Sequence, residues 1–280
     1  MGTILLPEDK LIKISGLCLH YLDWGNPNAA PMVLLHGLCG NAHYWDFFAS
    51  TVASEYHVLA LDQRGHGNSG WAESYGPKGY VLDLEAFADN LGLDKFVLIG
   101  HSMGGINAVI YAARHPDLIS ALIVVDIGPE INSAGIERME RERISEPEAF
   151  SSEEEAISYM KKVEPRQSDD FIRHQVKHAL KQDDKGNLTF RYDPALRSTE
   201  LRSPDWLWDY VDHVICPTLL TRGLESDMLA AEVATMMAGK LAFGSLVDIE
   251  KAGHSVPGDN PEAFKAAVSE FLRGLSLPIE

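Results

Sequence analysis

The segment that most constrains the fold of this chain is residues 98–106, which read Leu-Ile-Gly-His-Ser-Met-Gly-Gly-Ile. An apolar run ends at Ile99 and a helical pattern begins soon after it, so the sequence predicts a strand, a sharp turn and a helix. Such a turn strains the backbone of Ser102, and only small residues fit two positions to either side, where Gly100 and Gly104 stand. The pattern predicts an exposed serine hydroxyl at the positive end of a helix. A chance glycine-rich turn is the alternative.

Short apolar runs alternate with helical patterns along most of the chain. The runs lack the alternation of a half-exposed strand, which indicates strands covered on both faces. Because strands that alternate with helices form parallel sheets, we predict an α/β fold with a mostly parallel central sheet and helices on both faces. An alternating hairpin around Gly16 precedes these runs. The predicted strands are 11–14, 17–22, 32–35, 57–61, 96–99, 122–125, 217–220 and 246–249, and the predicted helices are 44–54, 78–91, 103–114, 228–238 and 261–272.

The alternation stops after Val125 and resumes at Pro217. Between them, residues 128–212 contain no apolar run typical of a buried strand. Charged residues are dense there, and apolar residues recur at roughly helical spacing. We interpret this segment as a mainly helical insertion within one α/β core, which comprises residues 1–127 and 213–280.

Composition and charge exclude several classes of partner. The chain has 280 residues and a net charge of −17, which disfavours nucleic acids and anionic membranes. No run approaches about 18 apolar residues, so we expect no transmembrane helix, and the first residues lack the pattern of a signal peptide. The three cysteines lack a Cys-x-x-Cys spacing, so they predict neither a disulfide framework nor a zinc site. We therefore expect a cytoplasmic protein without nucleic-acid or membrane partners.

A serine hydroxyl needs a base to act as a nucleophile, and eleven histidines are available. His254 follows the last predicted strand and precedes the last predicted helix. Since the loops after parallel strands reach the edge of the sheet where ligands bind, His254 is expected on the same edge as Ser102. His101 is expected to point away from the serine. The other histidines fall in strand patterns, in the insertion or at helix ends, so His254 is the candidate base.

The base in turn needs a carboxylate that holds its tautomer and stabilises the imidazolium. Two aspartates follow predicted strands and are therefore expected at the same edge of the sheet. Asp126 ends the strand 122–125, and Asp227 follows the strand 217–220. The residues alone leave both candidates open.

Acyl-transfer chemistry also needs two backbone amides that stabilise a developing oxyanion. One candidate is the amide of Met103, directly after Ser102. The other is the amide of Leu38, in the His-Gly-Leu-Cys-Gly loop that follows the strand 32–35. Its neighbour Cys39 is either a reactive thiol or, as we favour, a small residue without a chemical role.

With these motifs in this order, the chain resembles an α/β-hydrolase, and in particular the serine esterases of that family that carry a helical cap domain. The resemblance rests on the His-Gly pair at 36–37, the Asp-x-Arg-Gly-x-Gly-x-Ser loop at 62–69, the turn at 100–105 and the Gly-His pair at 253–254. It extends over nearly the whole chain. It implies that the insertion is the cap and that nucleophile, acid and histidine follow in that order.

The resemblance also bears on the choice of acid. The family usually places an aspartate three residues after the glycine of the strand that follows the cap, but this chain has Ser226 there and Asp227 one position later. A subgroup of similar esterases takes its acid from an Asp-Ile-x-Pro stretch after the preceding strand, and this chain has Asp-Ile-Gly-Pro from Asp126 onward. The resemblance thus favours Asp126, with Asp227 as the alternative and Ser226 as a possible partner of the histidine–acid pair.

The activity that the resemblance implies is that of a serine hydrolase. It would cleave a carboxylic ester, thioester or lactone through Ser102, His254 and Asp126, with no metal or cofactor. A C–C bond hydrolase of ring-cleavage products, an acyltransferase or perhydrolase, and a non-catalytic small-molecule receptor are the alternatives, because the fold does not distinguish them.

The expected substrate is a small-molecule ester with an apolar acyl part. Aromatic residues near the end of the insertion and after the Leu38 loop are candidates for substrate contacts, namely Trp206, Trp208 and Trp45. The alternative for these side chains is packing between cap and core. The sequence is equally compatible with a monomer and a homodimer.

Overall fold

A central sheet of eight strands runs through the described part of this computed structural model, residues 6–275. Residues 1–5, on which part of the signal-peptide expectation rests, lie outside that range, as do residues 276–280. The strands of the sheet are β1 (Glu8–Ile14), β2 (Leu17–Asp23), β3 (Ala30–Leu35), β4 (Tyr56–Leu61), β5 (Phe96–His101), β6 (Ile119–Val125), β9 (Thr218–Gly223) and β10 (Gly244–Ile249), whereas β7 (Leu180–Gln182) and β8 (Leu188–Phe190) form a separate hairpin.

The strand order across the sheet is β1-β2-β4-β3-β5-β6-β9-β10. Strand β2 pairs antiparallel with β1 and with β4, and the other pairings in this sheet are parallel. The predicted α/β fold with a mostly parallel sheet is confirmed, and each of the eight strands of this sheet overlaps its predicted run. Because β6 and β9 are neighbours, the chain leaves and re-enters the sheet at adjacent positions around the insertion.

Helices cover both faces of the sheet. Alternate residues of β3 point to opposite faces, so Val33 and Leu35 join one hydrophobic core while Met32 and Leu34 join the other. Within residues 6–275 no helix is both long and apolar enough to cross a membrane. The helices are α1 (Asp46–Val52), α2 (Pro77–Leu91), α3 (Met103–Arg114), α4 (Ser133–Ser145), α5 (Glu153–Val163), α6 (Asp169–Ala179), α7 (Trp208–Val211), α8 (Ala231–Lys240), α9 (Val256–Asp259) and α10 (Pro261–Gly274), with 3-10 helices at Ala42–Trp45, Pro194–Ser198 and Asp205–Leu207.

The N-terminal hairpin forms as the sequence predicts. Its pairing places Ile14 opposite Leu17, so only two residues make the turn. Those residues, Ser15 and Gly16, have φ values of 50° and 86°. Positive φ at both central positions is the requirement of the two-residue turn that matches the twist of a hairpin.

The segment between β6 and β9 is mainly helical, as its composition predicts. Helices α4, α5 and α6 are followed by the β7–β8 hairpin, two of the 3-10 helices and α7. It has a small core of its own, formed by Phe150, Ala156, Ile157, Ile172, Val176 and Leu180. The hairpin was not expected, because strands of three residues are too short to give a readable alternation. The division of the chain at residues 127 and 213 stays a prediction.

Candidate active site

The turn between β5 and α3 carries the first site residue. The backbone of Ser102 has φ 52° and ψ −120°, a conformation that residues other than glycine rarely adopt. A Cβ atom on Gly100 would collide with the backbone of Gly104, and a Cβ atom on Gly104 would collide with the carbonyl of Leu35. Close backbone contacts are therefore the reason why glycine is needed at both positions. The contact of Gly104 with Leu35 also brings the end of β3 next to the serine.

A continuous chain of hydrogen bonds joins three of the predicted residues. The Nε2 atom of His254 lies 3.0 Å from the Oγ atom of Ser102, and its Nδ1 atom lies 2.9 Å from Oδ2 of Asp126. His254 reaches this position from the loop between β10 and α9. Asp126 is fully buried and Ser102 is nearly so. The geometry suits proton transfer from the hydroxyl to a ring that the carboxylate orients.

The carboxylate of Asp126 has a complete set of donors. Its Oδ1 atom accepts from the amide of Gly223 at 2.9 Å, and its Oδ2 atom accepts from the Ser226 hydroxyl at 2.5 Å as well as from His254. Ser226 is itself held, because its Oγ atom accepts from the amides of Met228 and Leu229. These hydrogen bonds fix the position of the carboxylate.

Asp227, the other candidate acid, faces elsewhere. Its two carboxylate oxygens lie 2.6 Å and 3.0 Å from nitrogens of Arg138 on α4. Burial alone would raise the pKa of Asp227, but this pairing lowers it below its ordinary value. The structure thus brings Asp126, and not Asp227, to His254, and Asp227 instead ties the loop after β9 to the insertion.

The two amides named as oxyanion donors flank the serine. Met103 is the first residue of α3, where an amide has no intrahelical acceptor. Gly37 packs so close that an added Cβ atom would lie 3.3 Å from Cβ of Ser102, which places the Leu38 loop directly beside the nucleophile. Among the described residues, neither the Met103 nor the Leu38 amide donates to a protein acceptor. Both donors are free to bind a substrate oxygen.

The loop after β3 is braced by the loop after β4. Gln63 donates its amide to Nε2 of His36 at 3.0 Å and its side-chain nitrogen to the His36 carbonyl at 2.8 Å. Asp62 accepts from the amide of Ala42 at 2.6 Å.

Cys39 lies next to Leu38 in the same loop. Burial raises the pKa of its thiol to about 12, so the thiol stays protonated, which agrees with a small residue that has no chemical role.

Comparisons with known proteins agree with this architecture. A family model described as alpha/beta hydrolase fold matches residues 30–152. Esterase Rv0045c of Mycobacterium tuberculosis is 29% identical over 278 residues, covering 96% of this chain and 89% of that protein. Its crystal structure superposes with a TM-score of 0.78 at 30% identity, covering 96% and 92% of the two chains. This chain belongs to the α/β-hydrolase family.

Further relatives of this α/β-hydrolase are hydrolases as well. The 3-hydroxybutyrate-oligomer hydrolase of Cupriavidus necator is 27% identical, covering 91% of this chain and 92% of that protein. The crystal structure of E-2-(acetamidomethylene)succinate hydrolase has a TM-score of 0.87 at 23% identity, covering 96% of this chain and all of that one. At this identity the similarity shows only that the two chains share a fold. The chain is accordingly a hydrolase of this family.

A cavity of about 220 Å³ opens above Ser102 and His254 in this α/β-hydrolase. The sheet edge forms one wall, which includes Leu38, and the insertion forms the other. The insertion wall is mixed, because apolar side chains alternate with the charged groups of Arg143, Glu146 and Glu164. Its apolar lining comprises Met139, Phe150, Met160, Phe171, Val176 and Phe190.

None of the three tryptophans expected to contact substrate lines this cavity. Trp45 is fully buried in the core, where its ring packs against Phe48 and Phe264. Trp208 packs on the other core cluster and donates to Glu130, and Trp206 is 43% exposed. The packing alternative therefore describes Trp45 and Trp208. Most of the aromatic lining comes instead from other parts of the insertion, including Phe150, Phe171 on α6 and Phe190 on β8.

Sequence reasoning missed two groups beside the site. Nε2 of His101 lies 2.9 Å from the His254 carbonyl and holds the loop that carries this residue. The ring of His101 stacks on Tyr44 and lines the cavity. Glu164 also lines the cavity, and burial raises its pKa to about 7. The position of His101 next to Ser102 was a usable signal, whereas nothing in the sequence near Glu164 pointed to the cavity.

Proposed function

We propose that this α/β-hydrolase cleaves a carboxylic ester through an acyl-enzyme formed on Ser102. The observation that carries the proposal is the hydrogen-bonded chain from Ser102 through His254 to Asp126, which ends beside two free backbone amides. Serine nucleophiles need an adjacent base, and that base needs an orienting acid, so the three residues are assigned those roles. We further propose that residues 128–212 act as a cap over the site.

The chemistry follows from these positions. His254 takes the proton of the Ser102 hydroxyl as the oxygen attacks the ester carbonyl, and the amides of Leu38 and Met103 bind the resulting oxyanion. The imidazolium then gives its proton to the departing alkoxide, which leaves an acyl-serine. Water enters, loses a proton to His254 and attacks the acyl carbon, and collapse of the second intermediate frees the acid and restores the serine.

Asp126 acts on this cycle through the histidine. By accepting from Nδ1 it leaves the Nε2 lone pair facing Ser102, and its negative charge stabilises the imidazolium of both half-reactions. Ser226 and the Gly223 amide donate hydrogen bonds to the carboxylate and hold it in place. We assign Ser226 as a positioning residue of the acid.

The proposed substrates carry a modest apolar acyl group. The cavity volume of about 220 Å³ and the aromatic and methionine side chains of its insertion wall favour such a group over a long or highly charged one. The relatives named as an esterase and as an oligoester hydrolase support ester cleavage.

The test is hydrolysis of p-nitrophenyl esters from C2 to C12 by the full chain, with Ser102→Ala as the matched control. We expect turnover that peaks at short to medium acyl length and disappears in the variant. Mass spectrometry after rapid acid quenching should detect one acyl group on Ser102. Ligand binding without turnover would instead favour a receptor. Acyl transfer to added alcohols or peroxide with little hydrolysis would favour the acyltransferase or perhydrolase.

A second candidate is hydrolysis of a substrate that also bears a carboxylate. It rests on Arg143, which lines the cavity and whose Nε atom is buried without a partner among the described residues. A relative, 2-(acetamidomethylene)succinate hydrolase of Mesorhizobium japonicum, is 26% identical over 244 residues. If this candidate holds, p-nitrophenyl hemisuccinate is cleaved with a lower KM than p-nitrophenyl butyrate, and Arg143→Met removes that preference. Equal KM values for the two esters would exclude it.

A further inference from the structure

Four side chains with metal-binding groups meet outside the proposed active site, where the insertion touches the core. His43 lies in the 3-10 helix Ala42–Trp45, and Asp46 begins α1. His174 and His178 lie four residues apart on α6, so they occupy the same face of that helix. One ligand atom from each of the four residues lies within 4.8 Å of all the others.

The hydrogen bonds inside this His43–Asp46–His174–His178 cluster do not satisfy it. Oδ2 of Asp46 lies 2.8 Å from Nδ1 of His43 and 2.8 Å from Nε2 of His174. The Oδ1 atom of the same carboxylate is buried with no partner among residues 6–275. The ring of His178 stacks on that of His43 at 3.6 Å and takes part in no hydrogen bond of the described residues. A buried, unpartnered carboxylate oxygen costs free energy that a ligand would recover.

We propose that this cluster binds one divalent transition-metal ion of the zinc class. Three imidazole nitrogens and one carboxylate oxygen form a four-coordinate set that suits Zn²⁺, Co²⁺, Ni²⁺ or Cu²⁺, whereas Ca²⁺ and Mg²⁺ prefer sites built from oxygen atoms. None of the four residues of the cluster belongs to the set Ser102, His254 and Asp126. The cluster therefore adds a binding function and takes no part in the hydrolysis step.

The geometry requires only small adjustments. Ligands held at about 2.0–2.1 Å from a tetrahedral zinc ion lie roughly 3.3 Å apart. The two hydrogen-bonded pairs, at 2.8 Å, would open by roughly half an ångström, and because every separation is within 4.8 Å, none would close by more than about 1.5 Å. Binding replaces the hydrogen bonds to Asp46, and the imidazole protons at the bonding nitrogens pass to solvent.

The location indicates what the ion would do. His43 and Asp46 directly follow the loop that carries Leu38, and Asn41 caps the 3-10 helix that contains His43. Helix α6 supplies Phe171, Gln175 and Val176 to the cavity wall. An ion at the cluster would therefore join the oxyanion loop to the substrate wall. We infer that it stabilises the packing of the insertion against the core.

This inference revises the expectation of no metal. The expectation of no zinc site rested on cysteine spacing, and the cluster contains no cysteine; the resemblance implied only that hydrolysis needs no metal, which the proposal leaves unchanged. His43 and His174 are 131 positions apart in the sequence. Only the packing of α6 against the start of α1 brings them together.

The experiment uses the full chain after removal of metal with EDTA and dialysis, titrated with Co²⁺ and separately with Zn²⁺. We expect one ion per chain, visible d–d absorption typical of tetrahedral Co²⁺, and a higher Tm with Zn²⁺. His178→Phe keeps the ring stack and loses no hydrogen bond, so its metal-free Tm should match that of wild type. Its Kd for Zn²⁺ should rise by about tenfold or more.

Three further variants make the result decisive. His174→Gln should weaken binding like His178→Phe, which covers the case in which one of them fails to fold. His213→Phe alters an exposed histidine outside the cluster and should bind like wild type. His254→Ala should also bind like wild type. Loss of binding in His254→Ala with retention in His178→Phe would place the ion at the active site and overturn the proposal, as would the absence of saturable binding to wild type.

Discussion

The two walls of the cavity differ in how their polar groups are held. On the sheet-edge wall the acid Asp126 is surrounded by three donors, and backbone contacts at Gly100 and Gly104 fix the nucleophile. On the insertion wall, Nε of Arg143 and Oε1 of Gln167 are buried without partners among the described residues, whereas on the sheet-edge wall this holds for the Tyr44 hydroxyl alone. A polar network in which every group has a hydrogen-bond partner is rigid, whereas buried polar groups without a partner can bind a ligand. This difference supports the proposal that the sheet edge carries out the chemistry and that the insertion recognises the substrate.

The largest expected effect contrasts the two aspartates that follow neighbouring strands. Asp126→Asn leaves His254 without the acceptor that sets its tautomer, so kcat should fall by roughly 10²–10⁴. Asp227→Asn removes only a partner of Arg138, so kcat should change less than about threefold. Steady-state kinetics on one p-nitrophenyl ester compares the two. The reverse ranking would move the acid into the loop after β9.

A smaller effect is expected at Ser226, within the same wall. Ser226→Ala removes a hydrogen bond to the Asp126 carboxylate, and bonds to charged groups contribute about 1.5–3 kcal/mol. We expect kcat to fall roughly tenfold with KM little changed, because the carboxylate that orients His254 loses one of its donors. Ser226→Thr keeps the hydroxyl and should restore most of the activity. A change in KM as large as that in kcat, with no recovery in Ser226→Thr, would indicate a structural role only.

A substitution on the insertion wall should change KM and leave kcat nearly unchanged. Arg138→Met breaks the pair with Asp227, which is partly exposed and is therefore worth about 0–1 kcal/mol. The Tm should fall by no more than a few degrees, and KM should rise about two- to fivefold because α4 loses its tie to the core. A double-mutant cycle with Asp227→Asn gives the pair energy directly. A drop in kcat as large as that of Ser226→Ala would contradict the division between the two walls.

How far the sequence predicts this molecule depends on how local each signal is. The strands, the hairpin at Gly16 and the turn at Ser102 follow from patterns of a few residues, and the structure has them where the patterns indicate. The choice between two aspartates stayed open on residues alone, because one position in the loop after β9 decides which carboxylate meets His254. None of the three tryptophans lines the cavity, because sequence position alone does not reveal that Trp45 packs inside the core, nor which face of the insertion carries Trp206 and Trp208.

The final prediction concerns pH and the insertion wall. Burial raises the pKa of Glu164 to about 7, with repulsion from Asp259 adding to it, against an ordinary value of 4.5. The folded protein therefore holds a proton on Glu164 that the unfolded chain has lost between these values, so this group reduces stability as pH rises from about 4.5 to 7. Since the side chain faces a cavity open to water, we expect an effect of about 1 kcal/mol, below the limit that the full shift implies.

Glu164→Gln isolates this effect, because the neutral amide keeps the size of the side chain and its reach to Ser255, whose hydroxyl lies 3.2 Å from Oε1 of Glu164. Urea unfolding at pH 5 and pH 8 should give nearly equal stability for variant and wild type at the lower pH, and a more stable variant at the higher pH. The matched control is Glu153→Gln, at the exposed start of α5, which should leave the free energy of unfolding unchanged at both pH values. If the Glu164→Gln difference were the same at both pH values, the insertion wall would hold an ionised carboxylate, and the contrast between a satisfied sheet edge and an unsatisfied insertion would lose one of its supports.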